Sequence, residues 1–440
     1  MSLQSGVKTN TEEPAKRLEV KAILNRVQRW DGFVCRSVAM VEDEGGRAAP
    51  SIHVRLSARE GSRPKCPRCQ RRCPGYDQLP PRSWSFVPLW GLAVWLVCSP
   101  RRVHCPEHGV HVESLPWSDG KSPVSIPMML FLATWARRLS WGEVARVFRT
   151  SWESVERSIR WVVDWGLRHR RLDGVRSIGI DDVHWGKGKA GGNFLTVIYQ
   201  IDAGSRRLLW VGRQRTEKTL RAGLDALGAG VVSGLRHVCS DMWRPYLKVV
   251  AERAGQALHV LDRFHVAMHL NAAVDEVRRG EVSRLRGKPM ARRLKRMRWR
   301  LLRRGSRVRG KAREKLRRLV ASKMATGRAW VLKEGFQDFW KYRSVTWARG
   351  FMKAWCGRAM RSRLEPMKRV ARMLVAHEGL LMNWFRARGE LSSGPVEGLN
   401  NKIRVVTRRS YGFRTYEAME LALYHNLGRL PEPEVTHKFC

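Results

Sequence analysis

Residues 177–185 read SIGIDDVHW, and this stretch decides the fold class of the chain. Isoleucines alternate with small residues up to the acidic pair Asp181 and Asp182, which predicts a buried strand that carries carboxylates. A turn rich in glycine and lysine follows, and then two more strand-like runs, NFLTVIYQID at 193–202 and RLLWVGR at 207–213. Short turns between neighbouring runs are typical of hairpins, so we expect the first three strands to pair in sequence order.

Helix and strand patterns alternate after the third strand. A helical pattern at 216–228 precedes a strand at 235–243, and a second helical pattern at 244–255 precedes a strand at 257–264. The order is therefore β-β-β-α-β-α-β, in which helical crossovers make the later strands parallel to a neighbour. This order predicts an α/β domain with a mixed sheet, and it places Asp241 at the end of the fourth strand.

A long helical and basic block follows the last strand. Within it, residues 276–320 hold 20 Lys and Arg against three Glu, a local balance of +17. A final pair of helical patterns covers 395–409 and 416–427, and the first of them carries Glu397 in its opening turn. Asp241 and Glu397 are more than 150 residues apart, which is far more than a compact α/β core needs. The helical block is therefore predicted to be an insertion that loops out of this core.

Three acidic residues stand out in this basic chain: Asp181, Asp241 and Glu397. Carboxylates on adjacent strands repel each other without a cation, so a bound metal ion is the natural explanation of their positions. Three converging carboxylates can hold two Mg²⁺ ions about 3.5–4 Å apart, the arrangement used for in-line phosphoryl transfer. The alternative for each acid taken alone is a salt bridge to one of the many arginines.

Cysteine spacing predicts a second metal centre nearer the N-terminus. Cys66 and Cys69 form a C-x2-C pair, and Cys105 and His108 form a matching C-x2-H pair. Two such pairs supply four tetrahedral nitrogen and sulfur ligands, the closed set of a structural zinc site. The alternative is a group of buried free cysteines with surface histidines. Four further residues compete as ligands: Cys73, Cys98, His104 and His111.

Residues 140–166 predict a helix-turn-helix. Ser140 can cap a short helix and Ser151 a longer one, with Arg149 and Thr150 in the turn. When such a motif binds DNA, the second helix lies in the major groove with its N-terminal residues at the base edges. The DNA contacts expected there include Trp152 and Arg157. The alternative is an ordinary antiparallel helix pair.

The composition points to nucleic acid as the partner. The 440 residues contain 84 Lys and Arg against 39 Asp and Glu, a formal net charge of +45, which suits a polyanion. Hydrophobic residues make up 43% of the chain, with 19 Trp, and this excludes a wholly disordered polycation. The most apolar windows, 86–98 and 127–135, fall short of the ~20 residues of a membrane span. The first 20 residues contain no apolar signal region, so we expect a cytoplasmic protein at the DNA and no membrane contact.

Four long motifs resemble those of a known family in the same order along the chain. They are IGIDDVHW at 178–185, CSDMWRPY at 239–246, LDRFHVAMHLNAAVDEVRR at 261–279 and GPVEGLNNKIRVVTRRSYGFR at 394–414. The family is the ISL3 group of DDE transposases of bacterial insertion sequences, in which a zinc ribbon and a helix-turn-helix also come first. The resemblance covers residues 30–427, nearly the whole chain.

The resemblance implies an RNase H-like core whose catalytic triad falls on Asp181, Asp241 and Glu397. The family commonly has Glu directly after the first Asp, whereas this chain has Asp182, which is expected on the other face of the strand. Asp262 and His265 resemble the Asp-x-x-His signature of transposases with a helical insertion. A supporting role near the active site is expected for this pair, and the alternative is a hydrogen-bonded pair that closes the fifth strand.

The helix of Glu397 carries further DNA-binding candidates. Asn400 and Arg404 lie on the face of Glu397, where an asparagine can contact DNA or orient the glutamate. Basic side chains on this helix are candidates for binding the phosphates of the scissile strand, and the alternative is ordinary helix solvation. They are Lys402, Arg408 and Arg409.

The resemblance implies an insertion-sequence transposase that cleaves transposon ends and joins the 3′-hydroxyl to target DNA. Its expected cofactors are two Mg²⁺ or Mn²⁺ ions and a structural Zn²⁺, and its expected partner is double-stranded DNA with terminal inverted repeats, together with target DNA. A homodimer or higher oligomer at the bacterial nucleoid is expected, because two ends must be brought together.

The alternatives are a non-catalytic DNA-binding protein derived from a transposase and an RNase H-like nuclease or resolvase. The expected architecture is a multidomain α/β chain in which a zinc ribbon and a helix-turn-helix precede the interrupted core. The domains are an arm at 1–28, the zinc ribbon at 29–113, the helix-turn-helix at 124–172, the core at 173–265 and 391–427, the insertion at 266–390 and a tail at 428–440.

Overall fold

The computed structural model describes residues 19–28, 30–42, 49–185, 194–387 and 394–434. The chain forms two compact units, one from the described parts of 1–170 and 430–440, the other from those of 171–429. Most of the expected N-terminal arm, the turn at 186–192 and the end of the tail lie outside the described residues. None of the described helices combines the length and the apolar character that crossing a membrane requires.

The first unit begins with a helix and two small sheets. One sheet has the strand order β1-β2-β5-β4 and the other has the order β3-β6-β7. Trp84 and Trp117 are fully buried in the larger sheet's core and meet edge to face, with ring centroids 5.9 Å apart. The elements are α1 (Val20–Val27), β1 (Phe33–Val41), β2 (Ser51–Ala58), β3 (Gly75–Gln78), β4 (Arg82–Leu89), β5 (Leu92–Cys98), β6 (Arg101–Cys105) and β7 (Gly109–Val112).

Three helices complete this unit: α2 (Ile126–Ala136), α3 (Trp141–Val147) and α4 (Trp152–His169). Ser140 and Glu143 form a capping box at the start of α3, and the Ser151 hydroxyl accepts from the Ser154 backbone N–H at the start of α4. Arg149 in the turn has a left-handed φ of 50°. The two helices and the turn therefore lie where the sequence predicted them.

The second unit contains a five-stranded mixed sheet of order β10-β9-β8-β11-β12. Strands β8, β9 and β10 pair antiparallel in sequence, whereas β11 is parallel to both β8 and β12. The mixed α/β class and the predicted order of the five strands are confirmed, and a short helix, α6, that the sequence did not predict follows α5. The elements are β8 (Ser177–His184), β9 (Phe194–Gln200), β10 (Arg207–Arg213), α5 (Glu217–Leu227), α6 (Ala229–Ser233), β11 (His237–Ser240), α7 (Arg244–Arg253) and β12 (Leu258–Leu261).

The described residues between β12 and the last two helices contain helices and no strand. They share a core in which Phe336, Phe339 and Trp355 are almost completely buried. The ring of Phe336 contacts the rings of both Phe339 and Trp355. The elements are α8 (Arg263–Arg284), α9 (Pro289–Leu302), α10 (Gly310–Ala321), α11 (Ala325–Phe336), α12 (Val345–Met360), α13 (Glu365–Ala376), α14 (Glu378–Arg386), α15 (Gly394–Arg409) and α16 (Tyr416–Leu427).

Gly179 allows α15 to approach the sheet closely. A Cβ atom at this position of β8 would lie 2.5 Å from Val396 Cγ2 and 3.2 Å from Ile201 Cγ2. Real Cβ atoms do not come so near another carbon, so any side chain at 179 would push the helix away. The glycine of the opening motif therefore fixes the start of α15 directly on the strand that carries Asp181.

Candidate functional site

Asp181 and Asp241 are positioned by the paired parallel strands β8 and β11. Cys239 of β11 pairs with Gly179 of β8, and each aspartate comes two residues after a member of this pair. Because side chains alternate along a strand, Asp181 and Asp182 face opposite sides of β8. The partner of Asp241, Arg215, also contacts Asp182. Asp181 and Asp241 are both buried, and each is 8% exposed. As predicted, Asp181 lies within the first strand, and Asp241 directly follows the fourth.

The carboxylate of Asp181 is held by hydrogen bonds from two directions. The Asn400 Nδ2 donates to Asp181 Oδ2 over 2.6 Å, and the backbone N–H of Asp182 donates to Asp181 Oδ1 over 2.8 Å. Asn400 is itself fixed, because the Tyr199 hydroxyl donates to its Oδ1 over 2.7 Å. Burial raises the pKa of Asp181, and the nearby His265 acts against this shift. Asn400, expected to contact DNA or orient Glu397, engages Asp181 in this structure.

Arg215 connects the other two aspartates and was missed by the sequence reasoning. Its Nε lies 2.9 Å from Asp182 Oδ1, and its Nη2 donates to Asp241 Oδ2 over 2.5 Å. The guanidinium carbon lies 4.4 Å from the centre of the Trp243 ring, and the Trp243 backbone N–H donates to Asp241 Oδ1 over 3.1 Å. No sequence signal marks Arg215, because it follows β10, which is three positions from β11 in the sheet.

Asp182 differs from Asp181 in its surroundings. Burial raises the pKa of Asp182 to about 6, although Arg215 acts in the opposite direction. Its partner in the structure is Arg215, whereas Asp181 contacts Asn400. The two carboxylates therefore take different partners, as the alternation along β8 predicts.

Asp262 and His265 lie beside Asp181. Asp262 follows β12 and caps α8, where its Oδ1 accepts from the Phe264 backbone N–H over 2.7 Å. The His265 Nε2 lies 3.9 Å from both Asp181 Oδ1 and Asp262 Oδ2. The imidazole is therefore placed between two buried carboxylates.

Glu397 lies in the first turn of α15 and is exposed. It precedes Asn400 by about one helical turn, so the contact of Asn400 with Asp181 brings this end of the helix to β8. In the described parts of the chain, no hydrogen bond or ion pair joins Glu397 to Asp181 or Asp241. These three carboxylates do not form a closed ligand set, since within the described ranges only the cysteine-histidine group brings three or more ligand atoms within 4.8 Å of one another.

An open pocket of about 400 Å³ adjoins the acids. Asp182, Asp241 and Arg215 line one side, and residues of α8 and α13 line the other. The other lining residues are Met242, Trp243, His265, Met268, His269, Met373 and His377. The acidic end of the sheet is thus accessible to a ligand from outside.

The basic candidates of α15 fall on two sides of the helix. At 100° per residue, Arg404 and Arg408 lie close to the direction of Glu397, whereas Lys402 points to nearly the opposite side. All three side chains are exposed. Arg409 is partly buried and donates from Nη2 to Asn426 Oδ1 over 2.9 Å. The helix therefore presents Arg404 and Arg408 on the same side as Glu397.

The four predicted zinc ligands come together in the first unit. The ligand atoms of Cys66, Cys69, Cys105 and His108 all lie within 4.8 Å of one another, and Cys105 Sγ is 3.5 Å from His108 Nδ1. The contact with His108 lowers the pKa of Cys105 to about 6, which favours the thiolate that binds metals. Cys73 packs beside this group but is outside the ligand set.

The two candidate DNA contacts of the helix-turn-helix lie at the start of α4. Trp152 is 43% exposed, and its ring centroid lies 5.6 Å from that of Trp141 on α3. Arg157 is exposed and donates from Nε to the backbone oxygen of Glu153 over 3.3 Å. Both side chains are accessible to a partner on this surface.

Comparisons with known proteins find similarity to insertion-sequence transposases. A family model described as a transposase, that of the ISL3 group of DDE transposases, matches residues 178–423, more than half of the chain. The transposase for insertion sequence element IS1001 of Bordetella parapertussis is 26% identical over 401 residues, which cover 90% of this chain and 96% of the relative. The transposase for insertion sequence element IS1557 of Mycobacterium tuberculosis is 28% identical over 429 residues, covering 90% and 93%.

Proposed function

This chain belongs to the ISL3 family of insertion-sequence transposases, and on that premise we propose that it cuts and joins DNA with Asp181, Asp241 and Glu397 as its DDE triad. The observation that carries the assignment is the parallel pairing of β8, which contains Asp181, with β11, which Asp241 directly follows. The hydrogen bond from Asn400 to Asp181 brings α15, the helix of Glu397, into contact with the strand that carries Asp181. Asp182 serves as a neighbouring acid that pairs with Arg215.

The sheet topology supports an RNase H-like core. Three antiparallel strands are followed by two parallel ones in the order β10-β9-β8-β11-β12, and α15 packs on the central strand. Helices α8 to α14 then form the insertion between the second aspartate and the glutamate. Since α8 begins at Arg263, we place the boundary between core and insertion at Asp262, three residues before the position expected from the sequence.

The acidic residues have the chemistry of a site for Mg²⁺ or Mn²⁺. These ions prefer carboxylate oxygens, and Asp181 and Asp241 are buried side chains that offer them on neighbouring strands. Two such ions, when bound, would activate the attacking water or 3′-hydroxyl and stabilise charge on the phosphate. Asn400 holds Asp181 in a fixed orientation, and Arg215 neutralises charge at Asp241.

His265 and Asp262 support the site from the adjoining strand end. The imidazole lies between the carboxylates of Asp181 and Asp262, where a protonated ring would reduce their mutual repulsion. The hydrogen bond of Asp262 to the start of α8 fixes the position of the histidine. We assign both residues to positioning Asp181, and no direct contact with substrate is required of them.

The cysteine group supports a structural Zn²⁺ site made by Cys66, Cys69, Cys105 and His108. Two short ligand pairs with four nitrogen and sulfur atoms match the donor set that zinc prefers. A set of four protein ligands leaves no open position for a substrate. The ion would therefore hold the fold of this region.

The DNA partners follow from the family and from the charge of the chain. The start of α4, with Trp152 and Arg157, is the proposed reader of terminal inverted repeats. On α15, Lys402, Arg404, Arg408 and Arg409 are the proposed contacts with DNA phosphates. Two element ends must be brought together for joining, which supports a dimer or a higher oligomer.

The test is an end-cleavage and joining assay with the wild-type protein. A labelled duplex that contains the element end is incubated with Mg²⁺ and a supercoiled target, and a duplex of scrambled sequence serves as the control. We expect cleavage at the element end followed by joining to the target. Binding without cleavage would support the non-catalytic alternative. Cleavage without joining and without preference for the element end would support the nuclease.

Arg215 offers a separate prediction about the acidic site. Replacing Arg215 by Ala leaves Asp182 and Asp241 without their shared cation, so the free energy of unfolding should fall by about 1–3 kcal/mol in metal-free buffer. Mg²⁺ should restore more stability to this variant than to the wild type, as measured by thermal unfolding with and without the ion. Arg213→Ala, at an exposed position of β10, is the control. Equal unfolding temperatures of Arg215→Ala and the wild type would contradict the prediction.

A further inference from the structure

We propose that a pocket beside α10 binds single-stranded DNA, with one unstacked base inside and its phosphates on an arginine row. This inference rests on the proposed function, because it concerns the DNA that the transposase handles. The α10 pocket lies between the helical turn Gly305–Arg307, α10 and α11, and it has a volume of about 650 Å³. This volume lies within the range of ~300–1,000 Å³ that is usual for pockets holding small organic groups.

The inside of the α10 pocket is apolar and aromatic. Val308 and Leu316 are buried residues of its wall, and Trp330 is half-buried. A Cβ atom at Gly305 would lie 3.1 Å from Trp330 Cζ2, so the indole packs directly on a backbone that carries no side chain. The backbone N–H of Gly305 also donates to Glu334 Oε2 over 2.8 Å. The ring is therefore fixed before any ligand arrives, which reduces the entropic cost of stacking a base on it.

Lys333 also lies near the indole ring and forms an ion pair with Glu334. The Lys333 Nζ is 5.9 Å from the centre of the Trp330 ring, and it donates to the backbone oxygens of Leu301 and Arg303 over 2.7 and 3.0 Å. The indole Nε1 is buried and has no hydrogen-bond partner among the residues that the structure describes. A buried donor without a partner is costly, so a ligand acceptor that reached it would be favoured.

The rim of the α10 pocket carries three arginines in one row. Arg313 and Arg317 lie one turn apart on the same side of α10, and Arg309 is the residue directly before the helix begins. All three are exposed, and within the described ranges none forms an ion pair with a carboxylate. Arg318 on the same helix is paired with Glu314. The row thus keeps its guanidinium groups available, and guanidinium groups bind phosphates well.

The apolar wall of the α10 pocket and the arginines at its rim together favour binding of single-stranded DNA over a duplex. A duplex keeps its bases stacked inside and could use only the arginines, which would leave the apolar pocket empty. An unstacked base can enter the pocket while its phosphates remain on the rim, and stacking on an aromatic ring gains about 1–3 kcal/mol per base. Polyglutamate, an acidic chain without aromatic side chains, would likewise leave the aromatic wall without a matching group.

The test measures binding of full-length protein to a short fluorescein-labelled oligothymidylate and to the same strand annealed to its complement, without divalent metal. Arg313→Gln with Arg317→Gln should weaken single-strand binding by about tenfold and reduce the slope of log K against log salt by about 1.4. Arg318→Gln is the matched control and should bind within twofold of the wild type. Single-strand binding by the Arg313→Gln, Arg317→Gln variant within twofold of the wild type would overturn the proposal.

A second variant tests the pocket without changing the charge. Ala321 is exposed and lines the α10 pocket, so Ala321→Trp should fill it and leave the fold intact. We expect single-strand affinity to fall by about fivefold or more, since the stacking energy is lost, and duplex affinity to stay within twofold. Unchanged single-strand binding by this variant, or competition by polyglutamate as strong as that of the oligonucleotide, would overturn the proposal. Because the readout is binding without divalent metal, its outcome is independent of whether the aspartates catalyse cleavage.

Discussion

Replacing Asp241 by Asn should reduce the rates of Mg²⁺-dependent cleavage and joining by about 10³-fold or more. Binding to the element end should stay unchanged. The substitution removes the charge of a buried carboxylate that directly follows β11, the strand paired with the one that carries Asp181. Without this ligand a metal ion would no longer be held in place to stabilise the charge of the transition state, and that stabilisation is worth several kcal/mol. Asparagine has the same shape and can still accept from the Trp243 backbone N–H, so the fold should persist.

The measurements for Asp241→Asn are end cleavage, strand joining and equilibrium end binding on the same preparation. Asp225→Asn is a matched control, because Asp225 lies in the same unit and is also paired with an arginine, Arg253, but is exposed on α5. This control should retain full activity. Full cleavage by Asp241→Asn would refute the DDE assignment, and a loss of end binding would indicate a structural role for Asp241 instead.

Removal of one zinc ligand should have the second large effect. Cys105→Ser should lose the bound Zn²⁺ and reduce affinity for the element end by more than about tenfold. The physical reason is the small core of this region, in which the buried residues are Cys66, Cys73, Cys105 and Val103. With so few apolar side chains to bury, the metal must supply much of the local stability, and structural zinc contributes about 10–16 kcal/mol in small zinc-binding peptides.

Cys73→Ser separates metal binding from simple burial. Cys73 is 3% exposed and packs in the same cluster, yet it lies outside the four-ligand set. Zinc content, measured with a chromogenic chelator after unfolding, should therefore be one ion per chain in this variant and near zero in Cys105→Ser. Retention of zinc by Cys105→Ser, or its loss from Cys73→Ser, would show that the ligand set is wrong.

Local patterns in the sequence were sufficient for much of this structure. Alternation of apolar residues predicted β8 and its successors, and Ser140 and Ser151 correctly marked the starts of α3 and α4. The C-x2-C and C-x2-H pairs selected four ligand atoms that the fold brings together. These features depend on residues a few positions apart, and the backbone geometry of helices, strands and tight turns relates such neighbours directly.

Contacts between distant segments could not be predicted in the same way. Arg215 reaches Asp241 because the sheet order and the side-chain packing bring the end of β10 to the end of β11, and no spacing in the sequence encodes this. Asn400 was expected to contact DNA or to orient Glu397. The close approach of α15 to Gly179 instead brings Asn400 into hydrogen-bond contact with Asp181. The α10 pocket likewise exists only because Trp330 of the next helix closes it.

The sequence by itself determined the class of the protein, the order of its strands, the acids of the candidate triad and the cysteine set. The tertiary structure alone decided which partner each acid has: Asn400 for Asp181, and Arg215 for Asp182 and Asp241. The physical reason is that periodicity records which side of an element a residue faces. What that side meets depends on sheet register and helix packing, which are set by the whole chain.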